Sequence, residues 1–362
     1  MPNIIAFYLP QYHPTENNNK WWGEGFTEWT NVAKARKLYP GHYQPKIPAD
    51  LGFYDLRLPE VRKKQAELAK EAGISGFCYY HYWFGHGRQE LELPFKQVVE
   101  SGEPDFPFCL CWANESWSRK FWNHDGSVAK NEVLVEQEYP GEVDIRNHFE
   151  ALALAFSDPR YMKIDGKPIF VVYRPLACQD LHKMIGVWND LARENGLPGF
   201  YFVGYTLDVE SEYDSIKALG VDAVCSCRMR RHKRGTVAWF LRKLLSLVTH
   251  MPECYHYRKV YPTLIGKEEA ERDDVFPTLM PNWDHTPRSG ANGYLFTNST
   301  PKLFEEHAVD VLNKIAGKPK DKQICFLKSW NEWGEGNYME PDLRYGKGYI
   351  NALKRAIERV AR

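Results

Sequence analysis

Near the C-terminal end of this 362-residue chain stands the run Ser329-Trp330-Asn331-Glu332-Trp333-Gly334-Glu335-Gly336. Two glutamates three apart share one side of a helical turn. Breaking a glycosidic bond takes an acid to protonate the leaving oxygen and a second carboxylate as base or nucleophile. Trp330 and Trp333 can desolvate such a pair and raise one pKa toward neutrality, so that it holds a proton. Glu332 and Glu335 are therefore the candidate catalytic pair. The plain alternative is two surface glutamates on a loop, and the Trp and Gly around them speak against it.

Similar clusters follow other short apolar runs. They are Gln11-Tyr12-His13, Tyr79-Tyr80-His81-Tyr82-Trp83-Phe84, Trp112-Ala113-Asn114-Glu115-Ser116-Trp117, Tyr173-Arg174 and Asn282-Trp283-Asp284. Sugars present apolar C–H faces and a rim of hydroxyls, which match aromatic faces and planar bidentate side chains. The pattern predicts a glycan substrate. The candidate binding residues are Tyr12, Trp22, Glu24, Glu28, Tyr80, His81, Trp83, Trp112, Asn114, Glu115, Arg174, Trp283, Asp284, Trp330, Asn331 and Trp333. Several have structural alternatives. The segment holding Trp22, Glu24 and Glu28 can be a lid packed by its own aromatics. His81 can be a satisfied core histidine. Asp284 and Arg174 can pair with each other. His13, His81 and Asp284 lack metal-ligand spacing, so neither a metal nor another cofactor is expected. Cys109/Cys111 and Cys225/Cys227 lie in strand-like runs, where each pair shares one face and packs as small hydrophobes.

These clusters need a frame that brings run ends together. Eight apolar runs rich in Val, Ile, Phe and Tyr recur: Asn3–Gln11, Ile74–Tyr82, Phe106–Ala113, Pro168–Tyr173, Phe200–Leu207, Ala223–Cys227, Thr278–Trp283 and Ile324–Trp330. Between them lie helical patterns at Pro59–Ala72, Val143–Phe156, Leu181–Asn195, Ser211–Leu219, Pro301–Ile315 and Gly348–Ala361, with Thr300 as an N-cap. Strands alternating with helices predict an α/β fold with a parallel sheet, and eight strands close a (β/α)8 TIM barrel. The competing doubly wound sheet lacks its usual support, since neither Gly-x-Gly-x-x-Gly nor a Walker loop occurs. The expected organisation is a single domain over residues 1–362, with long loops after strands 1 and 6.

The second of these loops is an insertion at approximately 228–276. It opens with Arg228, Arg230, Arg231, Lys233 and Arg234 and continues as an apolar, basic stretch from Val237 to Val248. Such a segment can lie on an anionic membrane surface or bind a partner, giving a peripheral contact through 228–250. An ordinary helix covering the barrel is the alternative. The chain as a whole carries 47 basic and 47 acidic residues, which argues against a nucleic-acid binder. Aromatic residues at 14% argue against disorder. The opening Met1-Pro2-Asn3-Ile4-Ile5 has no basic n-region, so the expected location is cytoplasmic, with the inner membrane face as a variant.

The motifs together resemble the WbsX-type family. The resemblance rests on Tyr8-Leu9-Pro10-Gln11-Tyr12-His13-Pro14 and on Trp21 through Val32. It also rests on Asp50 through Asp55, Trp112-Ala113-Asn114-Glu115, Trp283-Asp284 with Thr286-Pro287-Arg288, and Trp330 through Gly336 with Glu340-Pro341. Proteins of this type are named glycosyltransferases of surface-polysaccharide biosynthesis. They are also similar to the family 99 glycoside hydrolases, retaining barrels that cleave internal α-mannosidic bonds. The resemblance implies that Glu332 takes the proton of the sugar 2-hydroxyl, whose oxygen then forms a 1,2-anhydro sugar. It implies that Glu335 protonates the leaving oxygen and then activates the incoming nucleophile. Two activities are thus expected in outline: retaining hydrolysis, or transfer in O-antigen or capsule biosynthesis.

Overall fold

The computed structural model describes residues 2–122, 128–229 and 251–361, with residues 237, 244 and 249 as isolated described positions. Eight parallel strands form a closed barrel: β1 Asn3–Tyr8, β2 Gly76–Trp83, β3 Phe108–Trp112, β4 Lys167–Val172, β5 Tyr201–Thr206, β6 Ala223–Ser226, β7 Val275–Leu279 and β8 Ile324–Leu327. Each pairs with the next in chain order. β8 then returns to β1, with Asn3 opposite Ile324 and Ala6 opposite Leu327. The strands are apolar along nearly their whole length because a barrel strand is covered on both faces.

At least one helix follows each strand before the next begins, the principal ones being α1 Pro59–Ala72, α2 Leu93–Ser101, α3 Glu142–Ser157, α4 Leu181–Glu194, α5 Val209–Lys217, α6 Lys267–Glu271, α7 Pro301–Ala316 and α8 Gly348–Val360. This is the (β/α)8 TIM barrel that the alternating pattern predicts. α1 stops at Gly73 in the left-handed region, and Thr300 caps α7 by accepting from the N–H of Leu303.

The run expected as the seventh strand, Thr278–Trp283, needs correction. The strand begins earlier, at Val275, and ends at Leu279. Pro281 has no N–H to give a ladder, so residues 280–283 form the turn above the barrel instead. The first run likewise ends at Tyr8, two residues before Pro10. Apart from the isolated positions 237 and 244, the basic, apolar stretch expected as a helix at 237–248 lies outside the described residues. Among the described residues no helix is long and apolar enough to cross a membrane.

Strand alternation divides the aromatic side chains into two populations. Phe7 stacks on Tyr80 and Phe326 and meets Tyr205 edge-on, inside the barrel. Tyr8, one residue on, packs on Phe77 and Tyr79 and donates its hydroxyl to Gln65 of α1, on the outer face.

Candidate active site

The expected glutamate pair sits directly above β8. Glu332 closes a two-residue strand, Asn331–Glu332, which pairs antiparallel with Asn337–Tyr338. Glu335 ends the single 3-10 turn between them, Trp333–Glu335. A tight hairpin, not an α-helical turn, thus brings the two carboxylates together. Its glycines are required. Gly336 has a φ of +53°, and a Cβ there would meet Lys46 Nζ at 2.5 Å and Asp284 Cβ at 2.7 Å. A Cβ on Gly334 would overlap the Glu28 carboxylate.

Arg288 joins the site together. Its Nη1 donates to Glu335 Oε1 at 2.7 Å and to Glu332 Oε1 at 3.3 Å, while its Nε donates to Glu28 Oε1 at 2.9 Å. His285 Nε2 lies 3.5 Å from Glu335 Oε1. Lys328, the residue after β8, is buried near the rings of Tyr173, Tyr205 and Trp283, 5.8–5.9 Å from each centroid. Tyr173 stacks on Tyr205 and meets Tyr80 edge-on, which makes an aromatic floor below the glutamates.

Burial and charge set the two glutamates apart. Desolvation, with the neighbouring charge of Glu335, pushes Glu332 up to about 7. Burial also works against a charge on Glu335, but Arg288 and the bond from His285 hold it well below the usual carboxylate range. A proton on the pair therefore favours Glu332 over Glu335. Arg288 and Lys328 stay charged despite burial, held by Glu28 and Glu335 for Arg288 and by the surrounding tyrosines for Lys328. Glu332 Oε2 is buried and has no hydrogen-bond partner among the described residues.

A scaffold holds the hairpin. The Tyr12 hydroxyl donates to Asn331 O and accepts from the Trp333 N–H at 3.0 Å. The Asn331 side chain exchanges bonds with the backbone of Leu9, accepting at 2.8 Å and donating at 3.0 Å. Trp333 stacks on Tyr338 at 3.8 Å and donates to Glu340 Oε2, which also accepts from Tyr54. Asp284 accepts from Gln44, Thr286 and the ring of His42, and its own N–H donates to Glu335 O at 2.7 Å. Burial opposes the charge on Asp284, but the His42 bond and nearby Lys46 hold it at about 2. Tyr12, Asn331, Trp333 and Asp284 thus fix the backbone that carries the glutamates.

Other expected binding residues lie elsewhere. His81, Trp83 and Trp112 alternate with the lumen-facing positions and point outward, under α3. There His81 Nε2 lies 2.9 Å from His148 Nε2, Trp83 stacks on the His148 ring, and Trp112 donates to Trp83 O. Burial pushes His81 down to about 3, so it stays neutral. Trp330 also faces outward, against Phe77. Asn114 bonds the backbone of Arg174 in both directions. Arg174 pairs with Glu115 at 2.8 Å, not with Asp284, and both are half exposed at the rim. Glu24 is exposed and accepts from Asn19, while Trp22 stacks on Phe26 and is 44% exposed. Tyr80, Glu28 and Trp283 reach the glutamate cluster or its floor. Arg288 and Lys328 were given no role by the sequence reading. A charged residue ending an apolar strand run was the available signal for Lys328, and the Thr286-Pro287-Arg288 motif was the signal for Arg288.

The cysteine pairs in β3 and β6 are buried free thiols, as packing residues would be.

The family model described as Glycosyltransferase WbsX matches residues 4–353. An uncharacterized protein WxcX of Xanthomonas campestris pv. campestris (strain B100) is 34% identical over 359 residues, covering 99% of this chain and 50% of that protein. The same holds for the protein of that name from strain ATCC 33913. The chain spans about half the length of these curated relatives. Among solved structures, an endo-alpha-mannosidase of family GH99 from Bacteroides thetaiotaomicron is similar, with a TM-score of 0.58 at 15% identity, covering 99% of this chain and 97% of that one. A glycoside hydrolase-like protein is similar too, with a TM-score of 0.62 at 16% identity, covering 98% and 93%. At these identities the likeness is one of fold.

Proposed function

We propose that this chain, which belongs to the WbsX glycosyltransferase family, makes or breaks glycosidic bonds with retention through Glu332 and Glu335. The family and the fold support the coarse reading of a carbohydrate-active enzyme. The observation that carries the finer one is that a single Arg288 nitrogen binds both carboxylates while Glu332 Oε2 is buried with no hydrogen-bond partner among the described residues. That free oxygen is suited to accept a sugar hydroxyl.

In the first step Glu332 takes the proton of the 2-hydroxyl. The 2-oxygen attacks the anomeric carbon, the glycosidic bond breaks, and Glu335 gives its proton to the leaving oxygen. In the second step Glu335 takes a proton from the incoming hydroxyl, which opens the 1,2-anhydro sugar, and Glu332 returns its proton to the 2-oxygen. Two inversions give net retention. The directions of the two shifts place a proton on the opposite partner before substrate binds. Arg288 lies closer to Glu335 than to Glu332. A substrate oxygen that draws Arg288 away from Glu335 raises that carboxyl and moves the proton to it.

Water as the incoming nucleophile gives hydrolysis, and a sugar hydroxyl gives transfer. The family description favours transfer, and the fold neighbours favour hydrolysis. Turnover of aryl α-glycosides by the whole chain, lost in Glu335→Gln and restored by azide, is the expected result. Product formation only with a nucleotide-sugar donor and an acceptor selects transfer. Inactivity in both assays overturns the proposal.

A further inference from the structure

A second cavity, of about 460 Å³, backs onto the turn that carries Glu335. Trp283 and Tyr349 are buried in its wall, and Tyr43 and Tyr345 are half buried. Two cations line it. The Arg344 guanidinium lies over the rings of Tyr43 and Tyr345, at 4.8 and 5.3 Å from their centroids. Lys46 is 7% exposed, and its ammonium donates to Gly336 O at 3.1 Å.

Neither cation has a carboxylate oxygen within 4.0 Å among the described residues. The two acids in the wall have other partners. Asp284 is taken up by His42, Gln44 and Thr286. Asp342 accepts from the Tyr338 hydroxyl at 2.6 Å and from the N–H groups of Arg344 and Tyr345. The Lys46 ammonium is buried, 5.4 Å from the Tyr338 centroid and with the charges of Asp284 and Asp342 nearby, and the Arg344 guanidinium, beside two rings set nearly perpendicular, offers its donors to a planar or tetrahedral anion. Aromatic walls suit the apolar face of a sugar ring.

We propose that this cavity is a second binding site, for a saccharide unit carrying an anionic group, with the anion on Arg344 and Lys46 and the ring against the tyrosines and Trp283. A carboxylate and a phosphate satisfy the same donors. The site stands apart from the chemistry of Glu332 and Glu335.

Calorimetric titration of the whole chain with glucuronic acid, glucose 6-phosphate and glucose tests it. At least one anionic sugar is expected to bind about tenfold or more tighter than glucose, and to weaken as salt screens the contact. Preference for the uronate assigns a carboxylate ligand, and preference for the phosphosugar assigns a phosphate. Arg344→Gln, at an exposed position that leaves the fold intact, is expected to remove the preference. Glu335→Gln is expected to keep it, which separates this site from the catalytic proposal. Equal binding of all three sugars, binding indifferent to Arg344→Gln, or no binding up to roughly 10 mM overturns the assignment.

Discussion

Two buried clusters of aromatic and titratable groups lie close to the same barrel rim, and they behave in opposite ways. Above β8, Glu28, Glu332 and Glu335 surround Arg288, and burial favours a proton on Glu332. Under α3, His81, His148, Trp83 and Trp112 pack ring on ring with no charge, and burial keeps both histidines neutral. Both look alike in sequence: aromatics flanking a residue able to move protons. Strand parity separates them. A side chain on the lumen side meets other strand ends and the space where substrate can enter. One residue along, it meets a helix.

The sharpest way to break this contrast is to change the same kind of group in both clusters. Glu335→Gln is expected to lower turnover by about 10²–10⁴-fold, the usual weight of a general acid–base group, read in an aryl glycoside assay. His81→Phe should leave turnover within about twofold and cost stability only on the order of 1 kcal/mol, the weight of one hydrogen bond. Equal losses of turnover in both variants would erase the distinction.

Arg288→Met is next in size. It leaves three carboxylates around an uncharged side chain, and a loss of about 3–5 kcal/mol is expected in chemical denaturation, as when one partner of a buried ion pair is removed. Arg288→Lys keeps the charge but not the fork, so it should recover part of the stability. A neutral result for Arg288→Met would mean that the carboxylates are not held by charge.

The smallest expected effect is a slope. Glu332 and Glu340 are both raised by burial from 4.5 to about 7. Between those values the folded chain keeps protons that the unfolded chain has lost, so these groups lower stability as pH rises from about 4.5 to about 7. Each contributes at most about 1.4 kcal/mol per pH unit. Glu335 and Asp284, whose pKa values are held low, act the other way only at more acid pH. Denaturation midpoints across pH 5–7 should therefore be flatter for Glu340→Gln than for the parent. An unchanged slope would show that Glu340 ionises freely.

The barrel was readable in the sequence because eight strands covered on both faces leave eight nearly unbroken apolar runs, six of them followed by a helical pattern, while the helices Leu93–Ser101 and Lys267–Glu271 left none. Two of those runs were drawn past their strands' ends, through Pro10 and Pro281. The glutamate pair was readable from spacing and from the motif around it. The binding set was read less well, since adjacent candidates such as Tyr80 and His81 cannot both face the lumen under a period of two. Arg288 comes from a one-turn helix, Thr286–Ser289, more than forty residues before the glutamates it holds, and no local pattern in the chain encodes that meeting.

One contact has a further consequence for how the protein is made. The Asn331 side chain is clasped by the backbone of Leu9, across a separation of 322 residues. Tyr12 binds the same hairpin. On the ribosome, the first strand and its loop emerge long before the hairpin that completes them. Until then Arg288 and Glu28 lack the glutamates that complete their cluster. The cluster of Glu28, Arg288, Glu332 and Glu335 therefore forms only once segments more than 300 residues apart have closed on each other.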